Sequence, residues 1–474
     1  MLENNSFDKG KTSFCEITSY LGFLALEIRP IIIITIVIAI VIAKGEGCKV
    51  FLKKFFRRLG GGLDVSRSSG MIETEREERS EMKLLHTSDW HIGRTLNGYS
   101  LLEEQKYAFE QILALALEEK VDGVIIAGDL YDSSVPKADF VTTFEQMLRE
   151  MNLEHQLPIY AISGNHDSAK RLNFSREWMQ HQQLYLNTFI DEAMSPVETE
   201  DCQLFLLPYF DPMDARIYLQ EEQGWSDEEV KNVRTLADAM QALLPLLVAR
   251  FAPGKKHILV THFAVTASGQ DPQDLTSETS STVGGLATLN AAIFSDFDYV
   301  ALGHIHTHHA SPSETVRYSG SPVKFNVKEA GTDKGVYILE FDEKGVESRF
   351  IKLEQETDLV ALKEDWETLT DPGFYQTQPC HQAWFAIQVQ DFDRNEHVGK
   401  NLRAQLEQIY GTVVELDYSY KQETIRRTRG RNVEELDEST IIGNFYQEST
   451  GQSLSSAQLE LVEDILTKMS KEKS

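Results

Sequence analysis

The 474-residue chain holds 46 basic against 74 acidic residues, a formal net charge of −28, and 41% of its residues are apolar. That apolar share supports a sizeable core and excludes wholesale disorder. The length suits two or three domains, and the acidity excludes a coat that binds nucleic acid through bulk positive charge, though divalent ions can still create a local site. The four cysteines, Cys15, Cys48, Cys202 and Cys380, stand far apart, so no Cys-x-x-Cys zinc site or disulfide framework is readable and a reduced, cytoplasmic compartment is expected.

Residues 1–81 differ in character from the rest of the chain. Ile31 to Ala43 is an apolar run broken only by Thr35, preceded by Glu27, Arg29 and Pro30 and followed by Lys49, Lys53, Lys54, Arg57 and Arg58. It falls short of the roughly 20 residues of a spanning helix, and its basic flank lies on the wrong side for a signal peptide. If it inserted, that flank would leave the downstream chain in the cytoplasm. A soluble tail is another reading. The preferred one is that Met82 is the true start, because it opens directly onto the first strand and Glu78-Arg79-Ser80-Glu81 can be encoded by a purine-rich, ribosome-binding sequence. Peptides from residues 1–70 in mass spectra of the native protein would overturn it.

From Lys83 the pattern alternates between strand and helix. Lys83–Ser88 reads as a strand and Leu101 to Glu119 as a helix with Leu102, Phe109, Leu113 and Leu117 at helical spacing. Val121–Ala127 reads as a buried strand, Asp139–Met151 as a second helix and Leu157–Ile162 as a third strand. This βαβαβ order predicts an α/β fold with a parallel sheet, whose ligands gather beyond the carboxyl ends of the strands. Further strands are expected at 203–207, 257–260, 299–302, 316–319, 335–341 and 348–353, with a helix over Asp227–Arg250 and a polar loop or lid from Thr266 to Leu286. The acid-rich stretch Leu353–Asp365 suggests a boundary. After it come a strand (Trp384–Val389), a helix (His397–Tyr410), a strand (Val413–Tyr418) and a charged tail in which Ser455–Met469 forms an amphipathic helix with Leu459, Val462, Ile465 and Met469 on one face.

The chemistry sits where apolar runs end: Asp89-Trp-His91, Gly128-Asp129, Gly164-Asn165-His166-Asp167, Thr261-His262 and Gly303-His304-Ile-His306. Five such coincidences point to a divalent-metal site. Two ions clamping the attacking and leaving oxygens of a phosphoryl displacement need a bridging carboxylate; one of Asp89 or Asp129 must serve, and Asp129 is our choice. Asn165 offers an amide oxygen, and His91, His262, His304 and His306 offer imidazoles. Such mixed donors suit Mn²⁺, Fe or Zn better than Ca²⁺ or Mg²⁺. Glycines 128, 164 and 303 are expected to turn the chain sharply there. His166 follows Asn165 directly and cannot share its direction, so it is expected to face the phosphate and protonate the leaving oxygen, with Asp167 orienting its ring. His86, His155, His181 and His257 read as structural, and His308 and His309 as flanking the site. Lys170, Arg171 and Arg176 form either a solvated face or a phosphate contact. Arg426, Arg427, Arg429 and Arg431 are either surface charge or a contact with DNA or a partner.

Together these motifs resemble the calcineurin-like metallophosphoesterase superfamily. His86-Thr-Ser-Asp-Trp-His-Ile-Gly-Arg94, Gly128-Asp-Leu-Tyr-Asp-Ser-Ser134 and Ala301-Leu-Gly-His-Ile-His306 are similar to the nuclease subunits of bacterial SbcCD-type exonucleases. The resemblance runs from Met82 to about the C-terminus and is most specific up to about residue 330, while residues 1–81 match nothing in it. It implies a four-layer α/β nuclease core over 82–354, a small α/β capping domain over 355–420 and a helical partner-docking tail over 421–474. It further implies that Asp89, His91, Asp129 and His306 hold one metal ion, that Asp129, Asn165, His262 and His304 hold the other, that the ions are Mn²⁺, and that His166 is catalytic. The implied partners are an SbcC-type coiled-coil ATPase and double-stranded DNA ends and hairpins, with two nuclease subunits in a heterotetramer. The rival reading is a phosphatase or cyclic-nucleotide phosphodiesterase, but the arginine that Ser/Thr phosphatases of the superfamily carry after the second motif is absent from Asp129-Leu-Tyr-Asp-Ser-Ser. A non-catalytic scaffold would require lost ligands, and none is missing.

Overall fold

The computed structural model describes residues 82–267, 288–343, 345–393, 397, 400–420, 438–450 and 453–472. The readings of residues 1–81, of most of the polar loop and of the basic run Arg426–Arg431 fall outside these residues. Among the described residues no helix is long and apolar enough to cross a membrane.

The chain builds β1 (Met82–Thr87), α1 (Leu102–Glu118), β2 (Gly123–Ala127), α2 (Ala138–Leu148), β3 (Ile159–Ile162) and β4 (Leu184–Asn187). It continues through β5 (Val197–Glu198), β6 (Cys202–Leu206), α3 (Pro212–Glu221), α4 (Leu236–Val248), β7 (Lys256–His262), β8 (Tyr299–Gly303), β9 (Val316–Tyr318), β10 (Lys334–Asp342) and β11 (Gly345–Leu353). A six-stranded sheet has the order β11-β10-β1-β2-β3-β4, and a five-stranded sheet the order β9-β8-β7-β6-β5. Within them β1 to β4 and β6 to β9 pair in parallel, while β10, β11 and β5 run antiparallel to their neighbours.

Alternation along the strands creates four layers. On β2, Val124 and Ile126 face a core shared with Phe109, Ile112, Leu113 and Ala116 of α1, whereas Ile125 and Ala127 face a second core. The second core is the interior between the sheets, where Leu84, Ile125 and Ile162 meet Leu204, Ile258, Val260 and Ala301. On the far side Phe205, Leu259 and Val300 pack against Met240, Leu243 and Leu247 of α4. The central strands are therefore buried on both faces, which is why β2 and β8 read as unbroken apolar runs.

The helix expected over Asp227–Arg250 is two pieces, a turn at Asp227–Val230 and then α4. Thr235 restarts it: its Oγ1 accepts from the Asp238 amide at 3.1 Å and its amide donates to Asp238 at 2.9 Å, a capping box. The acid-rich stretch after residue 353 also differs from its reading as a boundary alone, because Asp358–Asp365 is a strand, β12. It pairs in parallel with β13 (Ala383–Phe392), which pairs with β14 (Val413–Tyr420). One face of this sheet packs Phe385, Ile387 and Val413 on Leu406 and Tyr410 of α5 (Leu402–Tyr410). The helix expected from His397 begins at Leu402. On the other side, Leu359, Val414 and Trp384 meet Leu96, Leu101, Val323 and Phe325 of the core. Two helices close the chain, α6 (Glu438–Thr450) and α7 (Ser456–Glu472).

Candidate metal centre

The nine residues singled out from the sequence come together at the carboxyl ends of five strands. Asp89 and His91 follow β1, Asp129 follows β2, Asn165, His166 and Asp167 follow β3, His262 ends β7, and His304 and His306 follow β8. The turns that aim them are costly ones. Asp89, His91, Asp129 and His304 all have positive φ, at 53°, 44°, 50° and 93°, a conformation costing on the order of 1–3 kcal/mol each for residues with a Cβ. Hydrogen bonds hold these turns: the amides of Asp89 and His91 donate to the carbonyls of Gly128 and Asp129 at 3.0 and 2.9 Å. The His304 amide donates to Asp89 Oδ1 at 3.0 Å. The glycines divide in role. Gly128 turns with φ at 90°, but Gly303 is needed for clearance, since a Cβ there would run into the Ala127 carbonyl.

Donor atoms form two groups that share one oxygen. In the first, His91 Nε2 lies 3.1 Å from His306 Nε2, 3.3 Å from Asp129 Oδ2 and 3.9 Å from Asp89 Oδ1, and His306 Nε2 lies 3.6 Å from Asp89 Oδ1. In the second, His262 Nε2 lies 3.2 Å from Asp129 Oδ2 and 3.1 Å from Asn165 Oδ1, which is 2.9 Å from His304 Nδ1. Metal–nitrogen bonds of about 2.1 Å put neighbouring ligand atoms roughly 3.0–3.4 Å apart, so the spacings among His91, His306, Asp129, His262, Asn165 and His304 suit divalent ions, while Asp89 Oδ1 stands wider, at 3.6 and 3.9 Å from the two imidazoles of its group. Three groups of side chains bring their donor atoms within 4.8 Å of one another: Asp89 with His91 and His306, Asp89 with Asp129 and His262, and His91 with Asp129 and His166.

Orientation and charge agree with that fit. His262 Nδ1 lies 2.8 Å from the Ala127 carbonyl, which directs Nε2 into the site. Burial opposes a charge on His262, but the Asp129 carboxylate outweighs it and raises the imidazole to about 9. Burial likewise opposes the Asp129 charge, yet His262 and His91 hold its carboxyl well below the usual range. Burial, with the nearby His262 charge adding to it, pushes His304 down to about 4.

His166 stands beside this cluster. Its amide donates to Asp129 Oδ1 at 2.9 Å, its Nδ1 is 3.1 Å from the Asp132 carbonyl, and its ring meets that of His91 edge-on at 4.7 Å. The expectation that Asp167 orients this ring is corrected. The Asp167 carboxylate accepts instead from the amides of Leu130, Tyr131 and Gly164 at 3.0, 3.0 and 2.9 Å, tying the second motif to the third. Burial and the Asp129 charge push its carboxyl up to about 7. Of the basic trio, Arg176 pairs with Glu192 at 3.2 Å and donates to Asn187 at 2.9 Å, while Lys170 and Arg171 are exposed. His86 is buried against Tyr299 and Tyr337, and His257 stacks on Phe251, as structural residues do. His155 and His181 are exposed, and His308 stacks on Phe350 at 3.8 Å.

Several supporting residues escaped the sequence reading. Ser88 donates to Asp89 Oδ2 at 2.6 Å, leaving Oδ1 to face the donor group. Gln105 on α1 donates to the carbonyls of Trp90 and His91. Asp132 lies 3.5 Å from His91 Nδ1 and accepts from Arg94 at 3.1 Å. Ser88 and Asp132 lie inside the motifs and could have been found there. Gln105 lies on a helix that only the fold brings to the site.

Residues 82–308 match the calcineurin-like phosphoesterase family, and residues 355–450 match the Type 5 capsule protein repressor C-terminal domain. The chain is 29% identical over 394 residues to the SbcD subunit of the nuclease SbcCD from Staphylococcus saprophyticus, covering 83% of this chain and all of that one. Among solved structures, GAP50, the anchor in the inner membrane complex of Plasmodium, is 12% identical over 58% of this chain and 85% of its own, with a TM-score of 0.33.

Proposed function

We propose, because this chain belongs through residues 82–308 to the calcineurin-like phosphoesterase family, that it is the nuclease subunit of an SbcCD-type complex. It hydrolyses phosphodiester bonds of double-stranded DNA, at ends as an exonuclease and at hairpins as an endonuclease, serving repair, recombination and replication in the cytoplasm. Residues 82–354 are the nuclease domain, 355–420 the capping domain and 421–474 the docking tail. Two nuclease subunits join two SbcC-type ATPase subunits, which control DNA access. Similarity along the whole length of the staphylococcal subunit supports this partner.

The observation that carries the reading is the shared oxygen. Asp129 Oδ2 stands 3.3 Å from His91 Nε2 and 3.2 Å from His262 Nε2, between two donor sets. Asp89, His91, Asp129 and His306 would hold one ion, and Asp129, Asn165, His262 and His304 the other; these donors suit Mn²⁺, Fe or Zn, and Mn²⁺ is the ion the family resemblance implies. Bound ions would supply Lewis-acid activation of the attacking water and neutralise charge on the phosphate. The protein's own part is orientation and proton delivery. His166, its Nδ1–H donated to the Asp132 carbonyl, gives the proton on Nε2 to the leaving oxygen. Asp167 keeps the second and third motifs in register through its three amide bonds.

The test is cleavage of blunt duplex and hairpin DNA with Mn²⁺ or with chelator, with and without the ATPase. Metal-dependent cleavage of both substrates is expected. Activity confined to phosphomonoesters would overturn the reading.

A further inference from the structure

One deeply buried charge plays no part in the chemistry above. Lys334 opens β10 at 2% exposure, and its ammonium meets three acceptors, one for each proton. These are the main-chain carbonyl of His306 at 2.8 Å, Ser321 Oγ at 2.9 Å and Glu329 Oε2 at 2.5 Å. Glu329 is buried too and accepts from the Phe325 amide at 3.2 Å. Burial pulls the Lys334 pKa below its ordinary value, with Glu329 opposing. Stability alone is a weak reason for such a pair, since replacing a buried ion pair by apolar residues is often neutral or stabilising.

Its position offers a better one. The pair grips residue 306 through its carbonyl, and the Ser321 amide donates to the same oxygen at 3.3 Å. Phe325, fixed through Glu329, sets its ring edge-on against both His306 and His91, at 5.3 and 5.2 Å. The two imidazoles are thus held from the main-chain side and from the ring side, with their Nε2 atoms 3.1 Å apart. At that distance one Nε2–H can donate to the other, but an ion needs both Nε2 lone pairs aimed at one point, and a rigid frame keeps the rings in that arrangement.

We propose that Lys334 and Glu329 are positioning residues that hold the His91 and His306 imidazoles in the geometry of one metal subsite. The proposal rests on the two-ion reading above and predicts an effect on one ion only. Titrating the metal-free full chain with Mn²⁺, by calorimetry and by electron paramagnetic resonance, should resolve two ions in the wild type. Lys334→Met should weaken one of them about 10–100-fold, the range seen when outer partners of metal ligands are lost. The other ion, bound beside Asn165, His262 and His304, should keep its affinity and so serve as an internal check on folding. Lys334→Met takes the ammonium away from the buried Glu329 carboxylate and will lower the Tm. The double variant Lys334→Met/Glu329→Leu removes both charges; it should regain Tm but not metal affinity, because the His306 carbonyl has lost the ammonium and keeps only the longer bond from the Ser321 amide. Recovery of both in the double variant, or equal weakening of both ions, would show the pair to be core packing and overturn the proposal. Two ions of unchanged affinity in Lys334→Met would do the same while leaving the two-ion reading intact. Failure of the wild type to bind two ions would overturn both.

Discussion

The strand-end site and the closing helices break the usual partition of residues in opposite directions. At the site, polar and ionisable groups that water would normally hold are buried: Asp89, His91 and His262 are fully covered and Asp129 nearly so. On α6 and α7, apolar groups that a core would normally hold face solvent, with Phe445 69% and Leu461 59% exposed beside Ile442, Leu459 and Ile465. Scattered exposed leucines are ordinary; clusters of buried ionisable groups and of exposed apolar groups are the informative departures. On the reading proposed above, a cation would relieve the first and a partner's surface the second. One chain therefore carries two kinds of unmet demand, one chemical and one for assembly.

Substitutions should separate these demands, and the largest effect belongs to the site. Asp129→Ala removes the oxygen common to both donor groups, so DNA cleavage should fall below detection at any Mn²⁺ concentration in a gel assay. Next, His166→Ala should keep both ions and DNA binding yet lower kcat by about 10²–10⁴-fold, the usual worth of a general acid. Metal loss in this variant would make His166 a ligand. A smaller effect is expected from Asp132→Asn, which weakens the partner of His91 Nδ1 and of Arg94. Mn²⁺ affinity should drop about 10–100-fold, with kcat recovering at saturating metal.

The smallest effect on the isolated enzyme should come from the other region. Leu459→Asp/Ile465→Asp should shift stability by less than about 0.5 kcal/mol, as exposed substitutions do, and leave cleavage of simple substrates unchanged while abolishing co-purification with the ATPase. Deletion of residues 453–474 should behave alike. A large drop in Tm would mean that α7 packs on its own chain; normal complex formation by the double variant would exclude docking through this face.

Why the site was so legible follows from its construction. Every donor sits within four residues of the end of an apolar strand, so local sequence carries both the scaffold and the ligand. His306 and Asp89 are 217 positions apart, yet each announces itself by its own motif. What the sequence concealed depends on registry between distant segments. Gln105 reaches the His91 carbonyl only because α1 packs beneath β1, and Lys334 reaches His306 only because β10 pairs with β1. Asp358–Asp365 was hidden by its own acidity, since Leu359 and Leu362 are its only buried side chains. The break before α4 lacked Gly or Pro, and its signal, the Thr235-x-x-Asp238 box, was weaker than the apolar periodicity around it. The positive φ at Asp89, His91, Asp129 and His304 left little compositional trace. Asp and His adopt that conformation more often than most residues with a Cβ, but far too rarely to mark it as glycine does.

The central claim is that one carboxylate oxygen joins two metal subsites. The direct measurement is low-temperature electron paramagnetic resonance of the full chain loaded with Mn²⁺, in the wild type and in Asp129→Ala. Two ions bridged by Asp129 should give an exchange-coupled spectrum at two equivalents that vanishes in the variant. A wild-type spectrum of isolated, uncoupled Mn²⁺, or coupling that survives the loss of Asp129, would contradict it.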